Sequence, residues 1–359
     1  MIKAKILIVG KFPDKSERLD GMMIRIMEID RILSAKYDLT YLDINFRNKS
    51  PKIDEVDGRR VIRLNPIYSV FHIYFLLKEY ELIYIHSLIN FVKLIPQITI
   101  GSRSYLIDIH GAVVEESLSS KAYAKFIIFM LFEKVAFKRS LRLLAVSHAM
   151  ADFYASKYGI GREKIIVLPI FGELIEESMA LRGRSEKITI IYAGGDQTWQ
   201  NFDIMLKIAQ TNNANEIRYE FFMPKKIAEK YKKFESSDIK FSTASGSELL
   251  ENYFRSHFGF LLREENIVNR IATPTKFIEY VSSGVVPIVI QPKIGDMSYY
   301  GYRYITVDDL EAGRMPFEES IAELRSHNYN CYLAQRHDAN NGIEQLHQFI
   351  SDFYGKGAL

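Results

Sequence analysis

The feature that most restricts this chain is a recurring short apolar run with little polar alternation. Such runs occur at Ile6–Val9, Leu39–Ile44, Leu82–Ile85, Tyr105–Ile109, Leu143–Val146 and Ile165–Leu168. A strand with apolar side chains on both faces must be covered on both, and a parallel sheet flanked by helices does this. Segments of helical length, such as Met22–Ala35 and Leu88–Ile98, lie between most of the runs. Alternation of this kind predicts a doubly wound α/β domain. After Gly172–Lys187 the rhythm restarts. Strands are expected near Ile188–Ala193, Arg218–Phe222, Ile239–Phe241, Phe258–Leu262 and Val286–Ile290. Helices are expected near Phe202–Ala209, Ser247–Phe254, Pro274–Ser283 and, last, Ile343–Phe353.

A chain of 359 residues, 48% hydrophobic, suits two cores of ordinary size better than one. The reading places an N-terminal Rossmann-like domain at 1–171 and a linker at 172–187, rich in charged and small residues around Arg182-Gly183-Arg184-Ser185. A second Rossmann-like domain follows at 188–340, and the helix at 341–359 is expected to pack back on the first. Two doubly wound domains in tandem direct the carboxyl ends of their strands, and so their binding crevices, toward a shared cleft.

Bulk properties exclude several classes. A net charge of +3 is too weak to make nucleic acid the main partner. The single cysteine, Cys331, forbids an internal disulfide, fits a reducing cytoplasm and rules out a cysteine-based zinc site. The apolar stretch at Ile6–Val9 is too short for a signal peptide, and no stretch reaches the roughly 20 apolar residues of a spanning helix. There is no P-loop, no H-E-x-x-H and no G-x-G-x-x-G after the first strand. No metal or resident cofactor is expected.

The most informative local segment runs from Arg263 to Pro287. It reads as a strand end, a polar loop, a well-marked helix and another strand. Thr273 is the expected N-cap, Pro274 the first helical residue and Gly284 a left-handed stop. The free N–H groups at such a helix start suit a diphosphate, and Arg263, Arg270 and Lys276 add positive charge nearby. Glu279, further along, is placed to accept two hydrogen bonds from a ribose diol.

Pro274-Thr275-Lys276-Phe277-Ile278-Glu279-Tyr280, with Gly284 and Pro287, resembles the donor-site segment of family-4 retaining glycosyltransferases of the GT-B fold, closest to the bacterial polysaccharide-assembly branch. The resemblance implies two Rossmann-like domains facing across a cleft and a nucleotide sugar, UDP- or GDP-linked, as donor. It implies a glycan or lipid-linked glycan as acceptor, and retention of configuration. It assigns Glu279 to the ribose and places Gly194 and Gly195 in the loop after the first strand of the donor domain. From their place at the helix start, Thr275 and Arg270 are expected to bind the nucleotide, and Arg263, Arg270 and Lys276 to stabilise the leaving diphosphate.

Two departures stand out. The family carries a sugar-contacting glutamate where this chain has Ile271, and Glu264 or Glu265 would have to substitute. Many members also carry an arginine and a lysine after the glycine loop, whereas here Gly194-Gly195 is followed by Asp196-Gln197-Thr198-Trp199-Gln200-Asn201. Either Arg263, Arg270 or Lys276 supplies that charge, or donor binding is impaired. Trp199 is read either as a stacking surface or as a partly buried packing residue. These departures motivate the rival reading, a non-catalytic GT-B subunit that binds a sugar nucleotide or glycan.

In the N-terminal half, Ile107-Asp108-Ile109-His110-Gly111 ends a strand and resembles a family loop whose histidine contacts the donor sugar. The adjacent Glu115-Glu116 is a candidate for acceptor hydroxyls. The loop from Lys11 to Gly21, leading into a helix, resembles the family's first glycine-containing loop. Ser147 reads as a helix N-cap, since no G-x-S-x-G elbow surrounds it. Finally, Lys121–Arg142 is apolar with basic ends. It reads as a core helix of the N-terminal domain, with peripheral contact to an anionic bilayer at the inner face of the membrane as the alternative.

Overall fold

The computed structural model describes residues 3–13, 21–95, 97–98, 104–169, 171–184, 187–211 and 217–356. The chain divides into two compact units, Met1–Ile170 with Asp338–Leu359, and Phe171–His337.

The first unit is built on eight strands: β1 (Lys5–Val9), β2 (Asp38–Ile44), β3 (Lys52–Val56), β4 (Arg59–Leu64), β5 (Leu82–His86), β6 (Ser104–Ile109), β7 (Arg142–Ala145) and β8 (Ile165–Val167). Their order across the sheet is β3-β4-β2-β1-β5-β6-β7-β8. Every pairing is parallel except β3 with β4. All five residues of β5 are buried, as an unbroken apolar strand in a covered sheet must be. The core joins Ile6, Ile8, Leu106 and Leu144 of the sheet to Ile26, Ile29 and Leu33 of helix Gly21–Ser34, and to Leu346 and Ile350 near the end of the chain.

The β3–β4 hairpin has no counterpart among the apolar runs. Its turn is Asp57-Gly58, both at positive φ (48° and 72°), the conformation that a tight two-residue hairpin turn requires. β3 carries Lys52, Asp54 and Glu55 at the sheet edge, where charge discourages pairing with another chain.

The second unit has six strands: β9 (Ile188–Ala193), β10 (Ile217–Phe222), β11 (Ile239–Ser242), β12 (Phe258–Phe260), β13 (Val286–Val289) and β14 (Ile305–Thr306). The order is β11-β10-β9-β12-β13-β14, parallel throughout. Its core includes Ile190, Tyr192, Met205, Phe221, Phe258 and Ile288, with Ile321. In each sheet the chain builds outward from the first strand and then crosses to its other side. The switch points therefore lie between β1 and β5 and between β9 and β12, where open α/β sheets bind ligands at the strands' carboxyl ends.

Two expectations need correction. The last helix extends far beyond Ile343–Phe353 and runs from Glu318 to Lys356. Its polar N-terminal half, with Asn328, Asn330 and Gln335, masks the apolar spacing. The segment Lys121–Arg142, read as a core helix, forms a helix over Tyr123–Arg139 that buries only Glu133, Ala136 and Phe137. Most of its large apolar side chains face outward.

Candidate functional site

In the second unit, β9 ends in Ala193-Gly194-Gly195 beside the end of β12, which leads to Arg263. Helix Thr275–Ser282 follows, with Pro274 as its N-cap and no side chain capping it. The expected cap, Thr273, lies one residue too early. Pro274 offers the first-turn N–H groups no side-chain acceptor, as an anion site needs. At the far end Gly284 adopts φ 69°, the left-handed stop. Arg184 donates to the Ser283 carbonyl at 2.7 Å, and Arg325 donates to the Gly284 carbonyl at 3.1 Å. Two guanidinium groups thus hold the negative end of this helix.

Lys276 rises from the first turn over the Tyr192 ring, its Nζ 3.9 Å from the ring centre. A Cβ on Gly194 would lie 2.8 Å from that Nζ, so only glycine lets the amine approach. The amine donates to Gln200 Oε1 at 3.4 Å, and among the described residues no carboxylate pairs with it. Burial first, and then the nearby Arg263 charge, lower its pKa to about 7, against the opposing pull of Glu279. Burial also lowers the pKa of Arg263, whose Nη1 donates to the Trp199 carbonyl at 3.4 Å. Two cations thus converge beside a glycine loop and an uncapped helix start.

The remaining predicted residues separate. Thr275 opens the helix and is exposed. Glu279 is exposed, and its Oε2 accepts a hydrogen bond from the Tyr253 hydroxyl at 2.9 Å. Gly195 accepts at its carbonyl from the Tyr192 hydroxyl at 2.6 Å, which fixes the loop. Arg270 does not join Lys276 and Arg263: it is exposed and lies 3.6 Å from Glu265. Glu265 also binds Lys293 at 2.7 Å, whereas the Glu264 carboxylate has no such partner among the described residues. Ile271 is buried, filling core where the resemblance expects a sugar-contacting glutamate. Trp199 is 61% exposed and is not packed in the core.

In the first unit His110 is not a free rim residue. Its Nε2 lies 2.9 Å from Asp108 Oδ2 and 3.0 Å from His86 Nδ1. Asp108 is fully buried, and Arg25 of helix Gly21–Ser34 grips its carboxylate through Nε at 2.9 Å while donating to the Leu168 carbonyl at 2.7 Å. Burial opposes ionisation of Asp108, but Arg25 and the two imidazoles outweigh it and hold its pKa well below the ordinary carboxylate value. Burial lowers His86 to about 4, so that ring is neutral at pH 7. The outer nitrogens, His86 Nε2 and His110 Nδ1, are buried and have no hydrogen-bond partner among the described residues. His86, Asp108 and His110 are close enough to hold a metal ion. The Asp108 charge, however, is already matched by Arg25.

Sequence reasoning missed Arg25 and His86, and gave Asp108 no role. The available signal was position: His86 closes β5 beside Gly10, where a Cβ would come within 3.0 Å of the imidazole, at the switch point of the sheet. Ser87, next in the chain, has φ 68°, and such backbone strain gathers at functional sites. Glu115 is committed to Lys157 at 2.6 Å, which removes it as a free acceptor ligand. Gly21 opens helix Gly21–Ser34, and the loop residues Asp14–Asp20 before it lie outside the described residues. Ser147 caps helix His148–Tyr158, its Oγ accepting from Met150 N at 2.9 Å.

No protein-family model matches the sequence, and no curated protein does. Among solved structures, sucrose-phosphate synthase from Thermosynechococcus elongatus is similar with a TM-score of 0.70 at 13% identity, over 99% of this chain and 100% of that one. The Anabaena protein HepE, in complex with UDP and glucose, gives 0.66 at 11%, over 97% and 100%. The trehalose-6-phosphate protein of E. coli, bound with UDP-2-fluoro glucose, gives 0.64 at 11%, over 98% and 99%. Likeness of this extent across both units establishes the fold as GT-B, built from two parallel-sheet α/β units.

Proposed function

We propose that this chain is a glycosyltransferase that takes a nucleoside-diphosphate sugar, with UDP-sugars the first candidates and GDP-sugars the next. The observation that carries the reading is the convergence of Lys276 and Arg263 at an uncapped helix start without a carboxylate to neutralise them. Both side chains are half-buried, and charge of one sign partly withdrawn from water is favoured when a ligand of the other sign completes it. A diphosphate does so, and as leaving group it gains negative charge in the transition state, where fixed cations act most strongly.

The roles follow from position. Glu279, steadied by Tyr253, binds the ribose diol. Lys276, Arg263 and the N–H groups near Thr275 bind the diphosphate, with Gly194 and Gly195 allowing close approach. Glu264 supplies the sugar contact that Ile271 lacks, and the face of Trp199 offers a stacking surface. Arg270 stays at the rim, in its surface pair. His110, by resemblance, meets a sugar hydroxyl. Retention, a glycan or lipid-linked glycan acceptor, and a place in surface-polysaccharide assembly rest on the resemblance of Pro274–Pro287 to the family-4 motif. No metal is needed for the charge the cations already supply.

The test is donor turnover: UDP-, GDP- and ADP-sugars are offered and free nucleotide is followed, with Glu279→Ala as control. Slow release from one donor, lost in the variant, supports the reading. The buried Ile271 favours a second reading, a subunit that binds without turnover. Tight binding with no release, in the presence of glycan and lipid-linked acceptors, would establish it. Absence of both binding and release overturns the donor site.

A further inference from the structure

Helix Tyr123–Arg139 exposes Tyr123 (61%), Ile127 (51%), Leu131 (58%), Ile128, Met130 and Val135. At 3.6 residues per turn, Ile127, Leu131, Lys134 and Lys138 form one outward ridge, opposite the buried Glu133, Ala136 and Phe137. The ridge is apolar in its first half and basic in its second. From Ser117 to Arg142 there are six basic residues, Lys121, Lys125, Lys134, Lys138, Arg139 and Arg142, and one acidic residue, Glu133. Glu133 faces inward and is bound by Lys157 at 2.7 Å. The helix itself therefore presents cations and hydrocarbon outward and no carboxylate of its own; Glu116 of the preceding helix, Val113–Ser119, is an exposed acid near its start. Among the described residues, no helix is long and apolar enough to cross a membrane.

We propose that this face is a peripheral membrane surface on which the helix lies flat against an anionic lipid monolayer. Ile127, Leu131 and Tyr123 would enter the boundary between headgroups and acyl chains. The lysines would extend along apolar stems to anionic headgroups. Charge complementarity selects this occupant: a patch of such one-sided charge repels a second copy of itself, whereas a headgroup layer of negative charge matches it along the whole helix. The inference does not depend on the donor site.

The experiment is sedimentation of the full chain with vesicles of phosphatidylcholine, with and without phosphatidylglycerol, at low and high salt. Binding is expected only with phosphatidylglycerol, and weaker at high salt because screening shortens the reach of the lysines. Lys134→Glu/Lys138→Glu and Ile127→Ser/Leu131→Ser should each lower the bound fraction by roughly tenfold, as both attractions are needed. All four positions are exposed, so folding should survive, and thermal melts verify it. A control on helix Val70–Lys78, which also exposes apolar side chains, Phe71→Ser/Phe75→Ser, should keep its binding. Equal sedimentation with neutral and anionic vesicles overturns the proposal. So does unchanged binding in both variants of the helix, or a lipid-free dimer that those variants abolish.

Discussion

Both units place cationic side chains where strands end, but they neutralise them in opposite ways. In the first, Arg25 meets the fully buried Asp108 and two imidazoles complete the cluster. In the second, Lys276 and Arg263 have aromatic and amide neighbours and no ion pair among the described residues. The first arrangement supplies its own counter-charge and is rigid before any ligand arrives. The second holds charge in reserve. Half-buried charge of one sign is completed only from outside the chain, so the contrast separates an element that supplies its own counter-ion from one that does not.

The sharpest way to break this comparison is to remove one partner on each side. Asp108→Asn leaves Arg25 buried without its counter-ion and should cost about 3–5 kcal/mol of stability, read from urea unfolding. Lys276→Met should leave stability unchanged or raise it. The same variant should lower turnover, or nucleotide affinity where turnover is absent, by about 100-fold to 1000-fold, the usual effect of losing one charge-stabilising donor. A Lys276→Met protein that is clearly less stable and binds nucleotide normally would reverse the assignment.

Acidity sharpens the comparison further. His86 titrates near 4 in the folded state and near 6.5 when free, so the unfolded chain takes up protons first. Stability should therefore fall as pH drops from about 6.5 toward 4. Asp108, held below its ordinary value, adds a further loss in stronger acid. Lys276 is the reverse case in pH range: folded near 7 and free near 10.5, it lets the unfolded chain keep a proton that the folded one has lost. Stability should rise with pH between those values, and Lys276→Met should flatten that rise. Nucleotide binding should recharge the amine. Affinity then weakens as pH climbs past about 7, and calorimetry in two buffers of different ionisation enthalpy should detect proton uptake. The smallest effect is expected at Arg270. Arg270→Ala breaks only an exposed pair and should change stability by less than about 0.5 kcal/mol, and donor affinity hardly at all.

Much of the architecture is legible because burial on both faces leaves an unbroken apolar run, as in β5 and β9. The β3–β4 hairpin escapes because an edge strand can be charged, although Asp57-Gly58 marks its turn. The Lys276–Arg263 cluster is partly legible: both are the expected residue types, but the approach of Lys276 to Gly194 depends on the order β9-β12, which no local pattern encodes. The Arg25–Asp108–His86–His110 cluster draws on residues up to 85 positions apart, and a histidine at the end of an apolar strand looks ordinary in isolation. The outward face of Tyr123–Arg139 is hidden from the sequence for a related reason. An apolar helix in a doubly wound domain is by default a covering helix, and only tertiary packing reveals which one is left uncovered.

The last helix has a consequence for the order of assembly. Leu346 and Ile350 belong to the same core as Ile6 and Leu33, while residues 171–337 form a unit of their own. Chains emerge from the ribosome N-terminus first, and domains tend to fold as they emerge. The second unit can therefore close as soon as its own stretch is made, whereas the first, begun earlier, must wait for residues near 350 to seal it. During that interval the sheet around β1 lacks part of its cover, and a nascent chain stalled before Leu346 would present that gap to chaperones and proteases.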